Sequence, residues 1–148
     1  MTTTPERPQP PTLSASIATL SLARRIEGEL NAALAEHDLT VRRLGLLGHI
    51  DQMPGLSFSE LARMAGVSVQ SVHATMKSLT AAGLVHDRTA KPGAASTIEL
   101  TDEGSRLLDE AQRVLAEADE RLFGAKSNPV GRKLGAALRR SFEFGGIG

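Results

Sequence analysis

The 148-residue sequence has no cysteine, no tryptophan and no tyrosine, and only four phenylalanines. The first absence removes disulfides, thiolate metal sites, thiol nucleophiles and thiol redox sensing together. Aromatics at 3% of residues leave the core to Leu, Ile, Val, Met and Ala. No apolar run approaches the roughly 20 residues that a bilayer span needs, and the N-terminus has no hydrophobic signal core. A soluble, cytoplasmic protein with no membrane association is therefore expected. An excess of one charge is missing too, since 17 basic residues balance 17 acidic ones. That zero sum speaks against nucleic acid, whose ligands usually carry a basic surplus. Where the charges sit decides whether the exclusion holds.

What is present reads as one globular domain. A chain near 150 residues buries roughly 70% of its unfolded surface. With 41% hydrophobic and 23% charged residues, neither a disordered chain nor a coiled-coil rod is expected. Residues 1–12 hold four of the seven prolines and almost nothing apolar, so they read as a disordered tail ahead of a single domain over 13–148. The closing Gly-Gly-Ile-Gly reads as frayed.

Helical spacing of apolar residues runs from Leu13 to Glu36 through Ile17, Leu20, Leu22, Ile26, Leu30 and Leu34. Thr40 is placed to cap a second helix with Val41, Leu44, Leu47 and Ile50, closed by Pro54-Gly55. Gly45 and Gly48 sit inside it, each costing up to about 1 kcal/mol relative to Ala. Either another helix packs closely there or the space is wanted. Ser57-Phe58-Ser59-Glu60 is a capping box opening a short helix that ends at Gly66. Ser68 caps the next helix, which runs to Gly83. Strands follow at Leu84-Val85 and Thr97–Leu100, joined by a turn with Pro92-Gly93. Thr101 caps a long helix with acids in its first turn, and Pro129 opens a last one. The fold class is mainly α with a small β-hairpin, in the order α-α-α-α-β-β-α-α.

Residues 57–83 have the build of a helix-turn-helix. Ala62 and Gly66 are the small residues for the crossing, and Leu61, Ala65, Val67, Val72, Met76 and Leu79 form the apolar spine. Ser68, Gln70, Ser71, His73, Ala74 and Lys77 then fall mostly on the opposite side of the second helix. Short polar groups and one Lys suit a major groove, where Gln pairs with adenine and Ala meets a thymine methyl. A solvated surface helix explains the same residues equally well. The hairpin shifts the balance, because a hairpin straight after such a unit makes a winged helix-turn-helix, over 40–101.

Leu61-Ala62, Gly66-Val67, the spine of the second helix, Leu79 with Gly83-Leu84-Val85, and Leu100-Thr101-Asp102-Glu103-Gly104 resemble the multiple-antibiotic-resistance (MarR) type transcriptional regulators. The likeness covers roughly residues 13–143. It implies a homodimer that binds a pseudo-palindromic operator in double-stranded DNA, most simply as a repressor, and that a small aromatic or phenolic effector releases. It also implies dimerisation helices at 13–36 and 102–145. The sequence departs from the family in the wing, where an Asp-Arg-Arg stretch is usual. Residues 91–96 read Lys-Pro-Gly-Ala-Ala-Ser, leaving Arg88 and Lys91 as the hairpin's cations. The resemblance then implies a weaker or displaced minor-groove contact.

The terminal helices carry more apolar surface than a small winged head can cover, so a twofold partner or the chain's own domain must cover it. Charge is unevenly spread. Residues 102–126 carry four basic against seven acidic side chains, residues 127–148 four against one, and residues 56–101 four against three. The acidic helix masks what the winged region carries. A winged-helix module that binds protein instead of DNA is the alternative reading.

Enzyme and metal readings fare poorly. His37, His49, His73 and His86 are scattered, with no pair at ligand spacing on one helix and no third ligand nearby. No phosphate loop follows a strand and no nucleophile elbow is present. Neither catalysis nor a cofactor is expected. For an effector, the resemblance implies a site between the dimerisation helices and the winged domain, with Arg25, Arg43 and His49 as polar candidates and Gly45 and Gly48 making room. A purely structural helix accounts for the same residues.

Overall fold

A computed structural model describes residues 14–88 and 98–143. The expected tail, the hairpin turn with Lys91, and the C-terminal Gly-Gly-Ile-Gly lie outside the described residues. Ser14 opens α1, Ala15–Leu34, by accepting the Ile17 amide on its Oγ. The helix does not run on to Glu36. A 3-10 turn over Ala35–His37 takes over, and Asp38 adopts a left-handed conformation at φ 53°. Asp is one of the few non-glycine residues that tolerates this region. Asn31 Oδ1 then takes the Val41 amide at 2.8 Å, tying the two sides of the corner together.

Thr40 caps α2, Val41–Gln52, which buries Leu44, Leu46, Leu47 and Ile50. The expected capping box is complete at α3, Phe58–Ala65. Ser57 Oγ accepts the Glu60 amide at 3.2 Å, and the Glu60 carboxylate accepts the Ser57 amide at 2.8 Å. Gly66 ends α3 at φ 66°, and Ser68 starts α4, Val69–Ala81, at once. Gly83, at φ 73°, turns the chain into β1, Val85–Asp87. This strand pairs antiparallel with β2, Ile98–Leu100, setting His86 opposite Glu99. Helices α5, Asp102–Phe123, and α6, Pro129–Glu143, complete the expected order.

One aliphatic core holds the head together. Leu34, Leu39, Leu47, Leu61, Val72, Leu79 and Ile98 are almost fully buried, each side chain contributing about 1.5–3 kcal/mol of transfer free energy. Helix α5 packs against α1, α2 and α6 and joins the arm to the head. No helix among the described residues is long and apolar enough to cross a membrane.

The glycines are used differently from the expectation. Gly66 makes no close approach, since a Cβ there would meet nothing within 4 Å, and it serves its left-handed φ instead. Gly45 and Gly48 also face open space, so close helix packing is not why they are there. The close approaches lie elsewhere. A Cβ on Gly104 would fall on the Leu84 carbonyl oxygen, and one on Gly135 would stand 2.6 Å from Phe123 Cβ. These glycines let α5 sit against the strand entry and α6 sit against the end of α5.

Candidate nucleic-acid interface

Val72, Met76 and Leu79 turn one side of α4 into the core, against Leu61 and Ala62 of α3. The helical period therefore forces Gln70, His73, Ala74 and Lys77 outward, and all four are exposed. Ser68 is exposed as well, with its Oγ held by the Ser71 amide at 3.1 Å. Ser71 is half-buried rather than on the open face, and its carbonyl accepts from Thr75 Oγ1 at 2.9 Å. No acid occupies the first turn of α4. Its positive N-terminal dipole is left unneutralised, which suits a phosphate.

Phe58, which the sequence does not single out, sets the orientation of His73. Its ring meets the imidazole edge to face, with centroids 4.3 Å apart and planes at 81°. A groove of about 490 Å³ between α4 and the hairpin root is lined by Phe58, His73, Met76, Lys77 and Ile98, among others.

At the root of the wing, Arg88 is exposed and engaged. Its Nε donates to His86 Nε2 at 2.9 Å and lies 3.4 Å from Glu99 Oε2. Glu99 is the cross-strand partner of His86, a pairing legible only once the register is known. Lys91 lies outside the described residues. Among the described residues, no group of three His, Asp or Glu side chains is placed to hold a metal ion.

The three effector candidates do not converge. Arg25 lies beside a cavity of about 410 Å³ between α1 and the α5–α6 corner, with Leu22, Ile26, Phe123 and Leu134. His49 lines a separate groove of about 400 Å³ between α1, α2 and α3, with Arg42, Gly45 and Met64. Arg43 borders neither. Its guanidinium donates to the Asp38 carbonyl at 3.0 Å and to Ser78 Oγ at 3.4 Å. The pKa of Glu60 is lowered. The Ser57 amide and then the Ser57 hydroxyl, donating to its carboxylate, hold it below the ordinary value, with Arg63 adding a smaller pull.

Comparison with known proteins fits this geometry. The family model described as "MarR family" matches residues 37–94. The HTH-type transcriptional repressor Rv2887 of Mycobacterium tuberculosis is 32% identical over 113 residues, which span 76% of this chain and 81% of the relative. The chain belongs to the MarR family. The crystal structure of the MarR family protein Rv2887 in complex with DNA superposes at a TM-score of 0.70, with 27% identity, over 86% of this chain and 97% of that one. The same protein in complex with salicylic acid gives 0.69 at 27% identity, over 88% and 97%. This MarR chain therefore has the fold of relatives solved both with DNA and with an aromatic acid.

Proposed function

We propose that this MarR protein is a sequence-specific DNA-binding transcriptional regulator, acting as a homodimeric repressor in the cytoplasm. The exposed polar face of α4 carries the reading, because a rigid capped helix presents Gln70, His73, Ala74 and Lys77 beside an unneutralised N-terminus. Gln70 reads a base edge, Ala74 meets a thymine methyl, and His73 is held by Phe58 for a base or a phosphate. Ser68, Ser71 and Lys77 serve the sugar-phosphate backbone. Arg88 contacts flanking backbone. No catalytic step is assigned.

The unpartnered arm supports the dimer. Helix α1 buries only Leu34 and α6 only Gly135, whereas Ile17, Leu20, Leu22, Val130 and Phe142 are exposed. A C₂ partner covers such stripes with a copy of themselves and sets two α4 helices about one DNA turn, roughly 34 Å, apart. Rv2887 in complex with salicylic acid supports an aromatic carboxylate as effector class. Arg25, ion-paired with Glu29 at 3.4 Å, faces one of the two cavities open to it, and His49 with Arg42 faces the other.

The test is a gel shift against a duplex of the DNA directly upstream of the chain's own coding sequence, at two salt concentrations. Retardation that weakens with salt is the expected result. No retardation at either salt would favour the protein-binding module instead.

A further inference from the structure

We infer that Arg43 is a positioning residue: it couples the α1–α2 corner, where the dimer arm joins the winged head, to the last turn of the recognition helix. The inference rests on the DNA-binding reading and goes beyond it.

The corner is fixed locally at three points. Asn31 Oδ1 takes the Val41 amide at 2.8 Å, Thr40 Oγ1 takes the Arg43 amide at 3.2 Å, and the Asp38 carbonyl takes Arg43 Nη1 at 3.0 Å. Asp38 offers that carbonyl from the end of the 3-10 turn, where its φ is left-handed at 53°. The other end of the same guanidinium, Nη2, reaches Ser78 Oγ at 3.4 Å, 35 residues further along the chain. Ser78 follows Lys77 directly and lies one helical turn beyond Ala74, so the bond lands beside the groove-facing side chains.

A guanidinium is planar and rigid, so its two ends cannot move independently. The third nitrogen of the group, Arg43 Nε, is buried and without a hydrogen-bond partner. A buried donor left unmade has a cost. The two Nη bonds hold the plane of the group. Loss of either bond frees the whole group to turn toward an acceptor for Nε. A displacement of the corner is then passed to α4, and a displacement of α4 is passed back to the corner. Half-site spacing depends on that relation between arm and reading helix.

The test compares Arg43→Lys, Ser78→Ala and the double variant of the full chain. Fluorescence anisotropy would follow the upstream duplex and a random-sequence duplex at two salt concentrations. Each single variant is expected to weaken the upstream duplex about three- to tenfold, and the double variant no more than the worse single, because both remove one link. Random-sequence binding and the salt slope stay as in the wild type. Multiplying losses in the double variant, or no loss in either single, would overturn the coupling. So would an equal loss on both duplexes with a flatter salt slope, which marks a phosphate contact. Hydrogen exchange on the free protein gives a readout that needs no DNA. Ser78→Ala, a change on the exposed side of α4, should speed exchange in the Ala35–Leu39 turn, and an unchanged turn would sink the coupling. A wild type that binds neither duplex, together with faster exchange of the turn in Ser78→Ala, overturns the DNA reading and leaves the coupling standing.

Discussion

Gln70 and Lys77 lie seven residues apart on the same exposed side of α4, yet their chemistry assigns them different tasks. A carboxamide can donate and accept on one base edge, whereas an ammonium is a point charge for phosphate. Gln70→Ala should cost about 1–3 kcal/mol on the operator and little on random DNA. Lys77→Ala should weaken both and reduce the salt slope by about one. Equal losses on both DNAs for the Gln70 variant would end its role as a base reader. Gly104 is decided by contact rather than by φ. Its place in the first turn of α5 lies against the Leu84 carbonyl, which also accepts the Thr101 amide at 3.0 Å. Thr101 Oγ1 donates to the Gly83 carbonyl at 2.6 Å in the same junction. Gly104→Ala must push α5 off this strand entry, and overpacking of this kind costs about 1–3 kcal/mol. Thermal or denaturant unfolding checks it, and an unchanged midpoint would refute the clash.

At the scale of elements, the helix-turn-helix is held together by its end signals. The capping box fixes where α3 starts, Gly66 where it stops, and Ser68 where α4 begins two residues later. Glu60 gives this unit a pH dependence. Its folded pKa is lowered, so its stabilisation is complete above the ordinary carboxyl pKa and is lost as pH falls through the lower folded value. Glu60→Gln should therefore differ from the wild type by a constant melting temperature above about pH 5. The gap should narrow in more acid solution. A gap that widens toward acid would have the wrong sign for this capping carboxylate. The hairpin is the contrasting element. Its short strands are pinned by buried Val85 and Ile98, while its root cation, Arg88, shares His86 and Glu99. Detaching Arg88 from these partners has a cost that a free wing arginine does not have.

The whole molecule is charge-balanced, and this shapes how it binds. The winged region carries four basic against three acidic side chains over residues 56–101. Counterion release, which drives non-specific binding in proportion to the phosphates neutralised, is correspondingly small for one protomer. Affinity must come from pairing two heads at fixed spacing. Helix α1 offers an apolar stripe for such pairing, with Leu20 exposed at 55% and Ile17 at 51% in the isolated chain. Leu20→Glu should shift sedimentation from dimer to monomer at micromolar concentration and abolish operator binding. The melting of the head should be nearly unchanged, because Leu20 contributes nothing to the core. A variant that stays dimeric would remove this part of α1 from the interface.

Local signals were enough for the elements and their order. Ser57 with Glu60, Ser68, Thr101, Gly66 and Gly83 act within a few residues of themselves, and the 3.6-residue period decides which side of α4 is apolar. The exposed polar face of Gln70, Ala74 and Lys77 follows from that period alone, with Ser71 half-buried at its edge. Everything that depends on residues distant in the chain needed the tertiary structure. It showed Phe58 against His73, Glu99 beside Arg88, and the separation of Arg25 from His49. It also moved Arg43 from a ligand candidate to a link between Asp38 and Ser78. The absent cysteines and sparse aromatics determined by themselves that the core is aliphatic and free of thiol chemistry, because composition limits what any fold can use. Which glycine stands for space and which for φ was decided only by the neighbours each one meets.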